Sequence, residues 1–342
     1  MQTSLQSSPP TRQIGPFSVS AIGLGCMNLS HAYGAPPPAA DAERLLLRAI
    51  DLGVTLFDTA ALYGFGANET LLGRVLKPHR AQITLCSKGG MAGVPFDDGI
   101  KRVIDGRPKA IRRNCEDSLR RLGTDVIDLY YLHRWDRRVA IEESVGEMAR
   151  LKAEGKVRAL GLSEVSAATL RRAHAEHPIA ALQTEYSLCT RNPEIAVLDA
   201  CRALGVAFVA FSPLARGFLT GTLRDVAALH ASDIRRSMPR FDAENHTANL
   251  RLLAGFAALA DRVGCSPAQL ALAWLLAQHA QLIAIPGTTQ LAHLADNCAA
   301  AAIGLDPATR AAVAALINQH TVLGARYNPA TQAEVDTEQF AA

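Results

Sequence analysis

The sequence predicts an α/β fold, a closed (β/α)8 (TIM) barrel with an N-terminal β-hairpin and two extra helices. Three observations predict it. First, short β-rich runs alternate with longer amphipathic runs from one end of the chain to the other, the pattern of repeated βαβ units. Second, the β-rich runs number eight, and most are apolar at nearly every position, as in parallel strands covered on both faces. Third, the glycine fingerprint of an open dinucleotide-binding sheet is incomplete. Gly23-Leu24-Gly25-Cys26-Met27-Asn28 and Gly64-Phe65-Gly66-Ala67-Asn68-Glu69 each lack its third glycine.

Arg12–Ser20 reads as a hairpin turning at Gly15-Pro16, placed to close the barrel bottom. The first strand is Ala21–Met27. A helix follows over Asp41–Leu52, with Asp41 as N-cap and Gly53 as its stop. Strand Val54–Asp58 precedes helix Asn68–Leu76, which ends before Lys77-Pro78. Strand Ile83–Ser87 precedes Pro108–Leu122, a helix with Pro inside its start and Gly123 just past its end. Strand Val126–Leu132 leads to helix Ile141–Glu154, Val157–Leu162 to Ala167–Glu176, and Ala181–Thr184 to Pro193–Leu204. After strand Val206–Ala210 comes a long Gly/Arg-rich connection, Leu214–Thr247. Connections of this length in compact domains serve as lids or binding loops. Helix Ser266–Gln278 opens with the N-cap pair Ser-Pro. Strand Leu282–Ile285 and helices Gln290–Ala302 and Pro307–His320 complete the chain, which is read as a single domain over 1–342 with flexible tails at 1–11 and 328–342.

Composition narrows the function. Of 342 residues 49% are hydrophobic and 20% charged, which excludes a disordered chain. A net charge of +3 is too small for a nucleic-acid or membrane-surface partner. Runs such as Leu270–Ala277 are too short to span a bilayer, and Met1–Arg12 has no apolar signal core. Seven cysteines without a C-x-x-C motif fit free thiols in a reducing, cytoplasmic setting. His174 and His177 share a helix face but have no third ligand nearby, so no metal is expected.

In a barrel, polar residues at the C-terminal ends of strands converge on one mouth. Asp58 ends the second strand, with Tyr63 five residues on. Lys88 ends the third and His133 the fourth. A phenol must shed a proton to act as an acid, and a neighbouring cation lowers its pKa by favouring phenolate. Lys88 supplies that charge, Asp58 keeps Lys88 charged and oriented, and His133 bonds the oxygen that Tyr63 protonates. Together they would polarise a carbonyl and protonate the alkoxide formed when hydride arrives.

At these residues the chain resembles the aldo-keto reductases. Gly23-Leu24-Gly25, Phe57-Asp58-Thr59-Ala60-x-x-Tyr63-Gly64, Ser87-Lys88, Leu132-His133, Gly161-Leu162-Ser163, Gln183, Phe211-Ser212-Pro213-Leu214-x-Arg216-Gly217 and Ile285-Pro286-Gly287-Thr288-Thr289 through Asn297 carry the likeness, from about residue 12 to residue 320. The resemblance implies hydride transfer between NAD(P)H and an aldehyde or ketone, with Tyr63 as general acid. It implies NADP(H) as preferred cofactor and NADH as a second candidate, because only His293 keeps basic character where a 2′-phosphate would sit. Ser163, Glu164 and Gln183 resemble residues that hold the nicotinamide carboxamide. Tyr186 resembles the aromatic that stacks on it, and Ser212, Pro213, Leu214, Arg216 and Gly217 resemble the pyrophosphate loop. Met27, Asp58, Ile285, Gly287, Thr288, Thr289, Gln290, His293, Asp296 and Asn297 complete the implied cofactor contacts, the last two at adenine. Phe65, Phe96, Trp135, Arg326 and Tyr327 are the candidates for an apolar pocket admitting a small-molecule carbonyl or alcohol. The alternative is an NADPH-binding regulatory module resembling channel β-subunits, with little turnover. Monomer and homo-oligomer both remain open.

Overall fold

The computed structural model describes residues 10–341. Its first element is a hairpin, β1 (Thr11–Ile14) paired antiparallel with β2 (Phe17–Ser20) across Gly15-Pro16. Gly15 takes φ +51°, in the left-handed region that a side chain disfavours. Eight parallel strands form the barrel. They are β3 (Leu24–Gly25), β4 (Leu56–Asp58), β5 (Thr84–Gly89), β8 (Ile127–Leu132), β9 (Val157–Ser163), β10 (Ala181–Glu185), β11 (Ala207–Phe211) and β12 (Leu282–Ile285), paired in that order. A bridge between Ile22 and Ala284 joins the first strand region to the last. The Gly23 N–H donates to the Ala284 carbonyl at 2.9 Å, and the Ala284 N–H to that of Ala21 at 3.1 Å. A Cβ on Gly25 would lie 2.7 Å from the Ile285 carbonyl oxygen, so this seam needs glycine.

Eight helices alternate with the strands. They are α1 (Ala39–Asp51), α2 (Ala67–Leu76), α3 (Pro108–Leu122), α4 (Ile141–Ala153), α5 (Ala167–Glu176), α6 (Val197–Leu204), α8 (Pro267–Leu276) and α9 (Leu291–Ala299). Two helices lie outside the repeat, the 21-residue α7 (Ala243–Val263) and α10 (Pro307–Leu316), with Leu316 packed over Gly255. A one-turn helix, α11 (Pro329–Gln332), is capped by Asn328.

The period of two along a strand sorts side chains into two layers. Leu56, Cys86, Leu129, Tyr131, Val209 and Ile283 fill the interior, and Ile14 and Val19 of the hairpin pack with them. Gly15 sits against Ala180, just before β10, so the hairpin closes the end opposite the strands' C-termini. The alternate residues, Phe57, Tyr130, Leu160, Leu182 and Phe208, form the larger layer beneath the helices.

Several expectations are corrected. The first helix begins at Ala39, two residues before Asp41, because Pro38 supplies the extended entry. Asp41 bonds Arg44 within the first turn instead of capping. The long connection ends at Asp242, where the 21-residue α7 starts. A second hairpin, β6 (Met91–Phe96) with β7 (Gly99–Ile104), is inserted after β5. Thr11, placed in the N-terminal tail by the sequence, pairs with Ser20 in β1, and residues 1–9 lie outside the described residues. The C-terminal stretch is not loose either. The Asp336 carboxylate accepts from the Ser166 N–H at 3.2 Å and the Thr169 hydroxyl at 2.6 Å, and Glu338 from the Ala167 N–H at 2.7 Å. These acceptors satisfy the open N-terminus of α5.

Candidate functional site

Asp58, Lys88 and His133 reach the mouth from three neighbouring strands, on the parity that faces inward. Tyr63 sits on a short 3-10 turn, Tyr63–Gly66. There Gly64 and Phe65 take left-handed φ of 56° and 52°, which turns the chain sharply back into α2. All four side chains are buried, with Tyr63 the most accessible at 8% and Lys88 at 0%. The Lys88 Nζ donates to Asp58 Oδ1, to the Thr59 carbonyl at 2.9 Å and to the Tyr63 phenolic oxygen at 3.2 Å. Asp58 Oδ2 accepts from the Gln183 amide at 2.8 Å. His133 meets Tyr63 edge to face, with ring centroids 5.8 Å apart, and its Nδ1 is buried without a partner. His31 also stacks on the Tyr63 ring, with centroids 6.2 Å apart.

Electrostatics divides the roles. Burial pulls the Lys88 pKa down, but the Asp58 charge and the Tyr63 contact more than offset it, and Lys88 stays a cation. Burial raises Tyr63, and Lys88 offsets only part of that rise, so its pKa stands above the ordinary 10.0. The expected net fall is therefore not found, because desolvation of a phenolate outweighs one neighbouring ammonium that is itself neutralised by Asp58. Burial, then Lys88 and Arg134, hold His133 well below 6.5. At neutral pH the site thus presents a protonated phenol beside a neutral imidazole. Of these two groups, the phenol is the stronger proton donor.

The remaining residues separate into those at the mouth and those elsewhere. Met27 packs beside Tyr63 with Met91 and Ala60. The Ser163 hydroxyl accepts from Arg134 at 3.1 Å. Tyr186 is fully buried between Phe208 and Trp274 in the outer layer, and its phenol donates to Glu194 at 2.7 Å. It cannot face a ligand in the mouth. Phe211 is the aromatic on the inward parity, half-buried against the interior cluster.

Glu164 also departs from expectation. Its carboxylate pairs with Arg326 and accepts from the Glu185 N–H at 2.8 Å, leaving it committed within the protein. Arg326 and Tyr327 are therefore not pocket walls. They belong to a buried network in which Arg216 donates to Glu185 at 2.8 Å and to the Tyr327 hydroxyl at 3.2 Å. Asp296 accepts from Ser266 at 2.7 Å, tying α9 to the cap of α8 instead of facing outward to a base. The Trp135 indole donates to the Val139 carbonyl at 2.7 Å, and its ring packs against the outer core. Phe96 is 51% exposed at the tip of β6, about 16 Å along the strand from Met91 at its base. Phe65 lies over Gly93 of that hairpin, where a Cβ would stand 2.3 Å from its ring.

The loops beside the mouth carry marks of their own. Ser212, Ala215 and Arg216 take φ of 48°, 48° and 58°, a run of left-handed residues costing about 1–3 kcal/mol each. Gly287 approaches Gly25, and a Cβ there would lie 3.0 Å from Asn28 Oδ1, a buried acceptor with no donor. Thr288 accepts from the Gln290 N–H at 3.0 Å at the entry to α9, whose N-terminus carries a positive dipole end. A strained loop and a helix N-terminus beside the mouth fit a ligand bearing phosphates, and the unsatisfied Asn28 oxygen fits a hydroxyl or amine donor on such a ligand. Asn28 escaped the sequence reading, and nothing in its local pattern marks it.

An eight-stranded barrel whose mouth holds a protonated phenol, a buried Lys–Asp pair and a neutral imidazole defines a class, the barrel oxidoreductases. Residues 21–318 match the model of the aldo/keto reductase family. A probable aldo-keto reductase 1 of Glycine max is 42% identical over 91% of this chain and 89% of its own length. The aldo-keto reductase yakc [NADP(+)] of Schizosaccharomyces pombe is 40% identical over 96% of this chain and 97% of its own. Among solved structures, the glycerol dehydrogenase AKR11B4 of Gluconobacter oxydans is 28% identical with TM-score 0.81, covering 93% of this chain and 98% of that one. A Klebsiella pneumoniae aldo-keto reductase solved with NADPH is 28% identical with TM-score 0.71, covering 94% and 99%. The chain belongs to the aldo/keto reductase family and is an oxidoreductase of that family.

Proposed function

We propose that this enzyme reduces an aldehyde or ketone to the alcohol at the Tyr63 phenol, with NADPH as its preferred cofactor. The observation that carries the reading is the Tyr63 hydroxyl held 3.2 Å from the Lys88 ammonium in a buried cluster of which Tyr63 is the most exposed member. NADPH, when bound, supplies the hydride. Tyr63 donates its proton to the carbonyl oxygen as negative charge develops there. The Lys88 cation, fixed by Asp58, stabilises the phenolate left behind and refills its hydrogen bond. The neutral His133 ring orients the same oxygen.

Ser163 and the Gln183 amide oxygen would hold the carboxamide, with Phe211 as the planar surface against the nicotinamide. The strained loop Ser212, Pro213, Leu214, Arg216 and Gly217 would bear on the pyrophosphate. Gly287, Thr288, Thr289, Gln290 and His293 would bear on the 2′-phosphate at the α9 N-terminus, with Ile285 as a further cofactor contact and Asn297, two turns along the helix, toward the adenine. The NADP(+) in the name of the yakc relative and the NADPH-bound Klebsiella structure support that choice. Seven free thiols, five of them buried, support a reducing, cytoplasmic setting.

The test follows cofactor absorbance with an uncharged aromatic aldehyde. Turnover is expected, and Tyr63→Phe lowers kcat by about 10²- to 10⁴-fold while NADPH still binds. A Tyr63→Phe enzyme as fast as the native one sinks the proposed acid. Binding of NADPH without turnover of any aldehyde or alcohol by the native chain favours the regulatory reading instead. An NADH KM equal to or below that for NADPH overturns the cofactor assignment.

A further inference from the structure

The charges at the mouth do not balance. Lys88 is paired with Asp58. Arg102, on β7, gives both arms of its guanidinium to Glu334 of the C-terminal segment. Asp136, two residues past Arg134, is taken up by the N–H groups of Gly106, Arg138 and Val139 at 2.9, 3.0 and 3.1 Å. Arg134, the cation next in sequence to His133, has no carboxylate partner among the described residues. It follows His133 directly and is half-buried. Its Nη1 is spent on two neutral acceptors, the His133 carbonyl at 2.8 Å and the Ser163 hydroxyl at 3.1 Å.

Those two bonds fix the guanidinium in place and leave its other edge without a partner. The Nε–H and Nη2 form the parallel fork that a carboxylate accepts in bidentate fashion, and neither has an acceptor among the described residues. The positive charge reaches the reacting groups: after burial and Lys88 it helps to hold His133 low, and it opposes the burial-driven rise of Tyr63. Removing a cation partly from water without a counter-ion is costly unless an anion arrives to pair with it.

We propose that Arg134 selects carbonyl substrates that carry a carboxylate, binding it through the Nε–Nη2 edge while the carbonyl oxygen meets Tyr63. This rests on the reductase reading above and adds a substrate class and a specificity-determining residue to it. A neutral carbonyl compound enters the same mouth but leaves the fork unsatisfied.

The experiment compares 4-carboxybenzaldehyde and 4-oxobutanoate with their methyl esters, using the full chain and NADPH. The native enzyme is expected to show kcat/KM at least about tenfold higher for the acid of at least one pair, the scale of a charged hydrogen-bonded contact. Arg134→Gln should collapse that ratio to near one, and Arg134→Lys should keep part of it. The ratio within each pair is unaffected by any general loss from misfolding or weaker cofactor binding. A native ratio near one for both pairs overturns the proposal while turnover of the esters leaves the reductase reading standing. Equal losses on acid and ester in Arg134→Gln also overturn it, and assign Arg134 to holding Ser163 alone. No turnover of either acid or ester sinks both readings.

Discussion

Lys88 lies between Asp58 and Tyr63, bonded to both, with its Nζ 3.2 Å from the phenolic oxygen and its side chain closed off from water. One ammonium thus serves two oxygens of different acidity. The carboxylate keeps it charged, and the charge is then felt by the phenol.

Breaking this pair from one side should cost far more than removing it whole. Lys88→Met leaves Asp58 as a buried carboxylate without a cation, at a cost of about 3–5 kcal/mol. The double variant Asp58→Asn/Lys88→Met removes both charges and should recover a substantial part of that loss. Chemical denaturation of the two singles and the double closes the cycle. Strict additivity would show that the two charges are not coupled.

The raised phenol pKa sets the pH behaviour of the two directions. In reduction Tyr63 must be protonated, so kcat/KM should be flat across neutral pH and fall only in the alkaline range. In alcohol oxidation the phenolate is the base, so the rate should climb with pH over the same interval. A reduction rate that falls between pH 6 and 8 would contradict the assignment of Tyr63 as a fully protonated acid at neutrality.

His133 should make the fold sensitive to mild acid. Its folded pKa is depressed below 6.5, so the unfolded chain takes up a proton that the native site refuses. Its contribution is present in full above about pH 6.5 and is lost as pH falls below that value toward the folded pKa. Each pH unit in that window costs at most about 1.4 kcal/mol. Urea unfolding at pH 7.5 and 5.5 should therefore show a smaller acid loss in His133→Asn than in the native chain.

At the barrel seam, Gly25→Ala would press a methyl group against the Ile285 carbonyl, a backbone atom with little room to yield. A loss of about 1–3 kcal/mol is expected, read from the shift in the denaturation midpoint. Unchanged stability would mean that β3 and β12 can separate there at little cost.

The repeat itself was legible, because strand and helix periods differ and buried parallel strands read as apolar runs. Pro108–Leu122 and Ala167–Glu176 are helical over the ranges that their capping residues and stop signals mark. The insertions were not. The β6–β7 hairpin and α7 add to the repeat without altering it, and the apolar positions of α7 run on from a connection with no period of its own. At the mouth, side-chain direction decided what could be read. Asp58, Lys88 and His133 share the inward parity with their strands' interior residues. Tyr186 lies one residue past β10 on the outward parity, two positions in register from Thr184, while Phe211 ends β11 on the inward one. Counting parity along the strand, rather than matching the nearest aromatic, separates the two. The commitments of Glu164, Arg326 and Asp296 were invisible for another reason. Their partners lie 162, 162 and 30 residues away.

The bridge between Ile22 and Ala284 also sets a schedule for folding. Its two sides are separated by about 260 residues, so closing the ring carries the largest loop-entropy cost of any pairing in the barrel. During synthesis the first seven strands can assemble in order as an open, curved sheet. That sheet has two unpaired edges until β12 leaves the ribosome, and both are templates for pairing with another chain. The emerging protein is therefore most prone to aggregate late, when nearly all of it has been made, and the final strand both completes the mouth and removes the hazard.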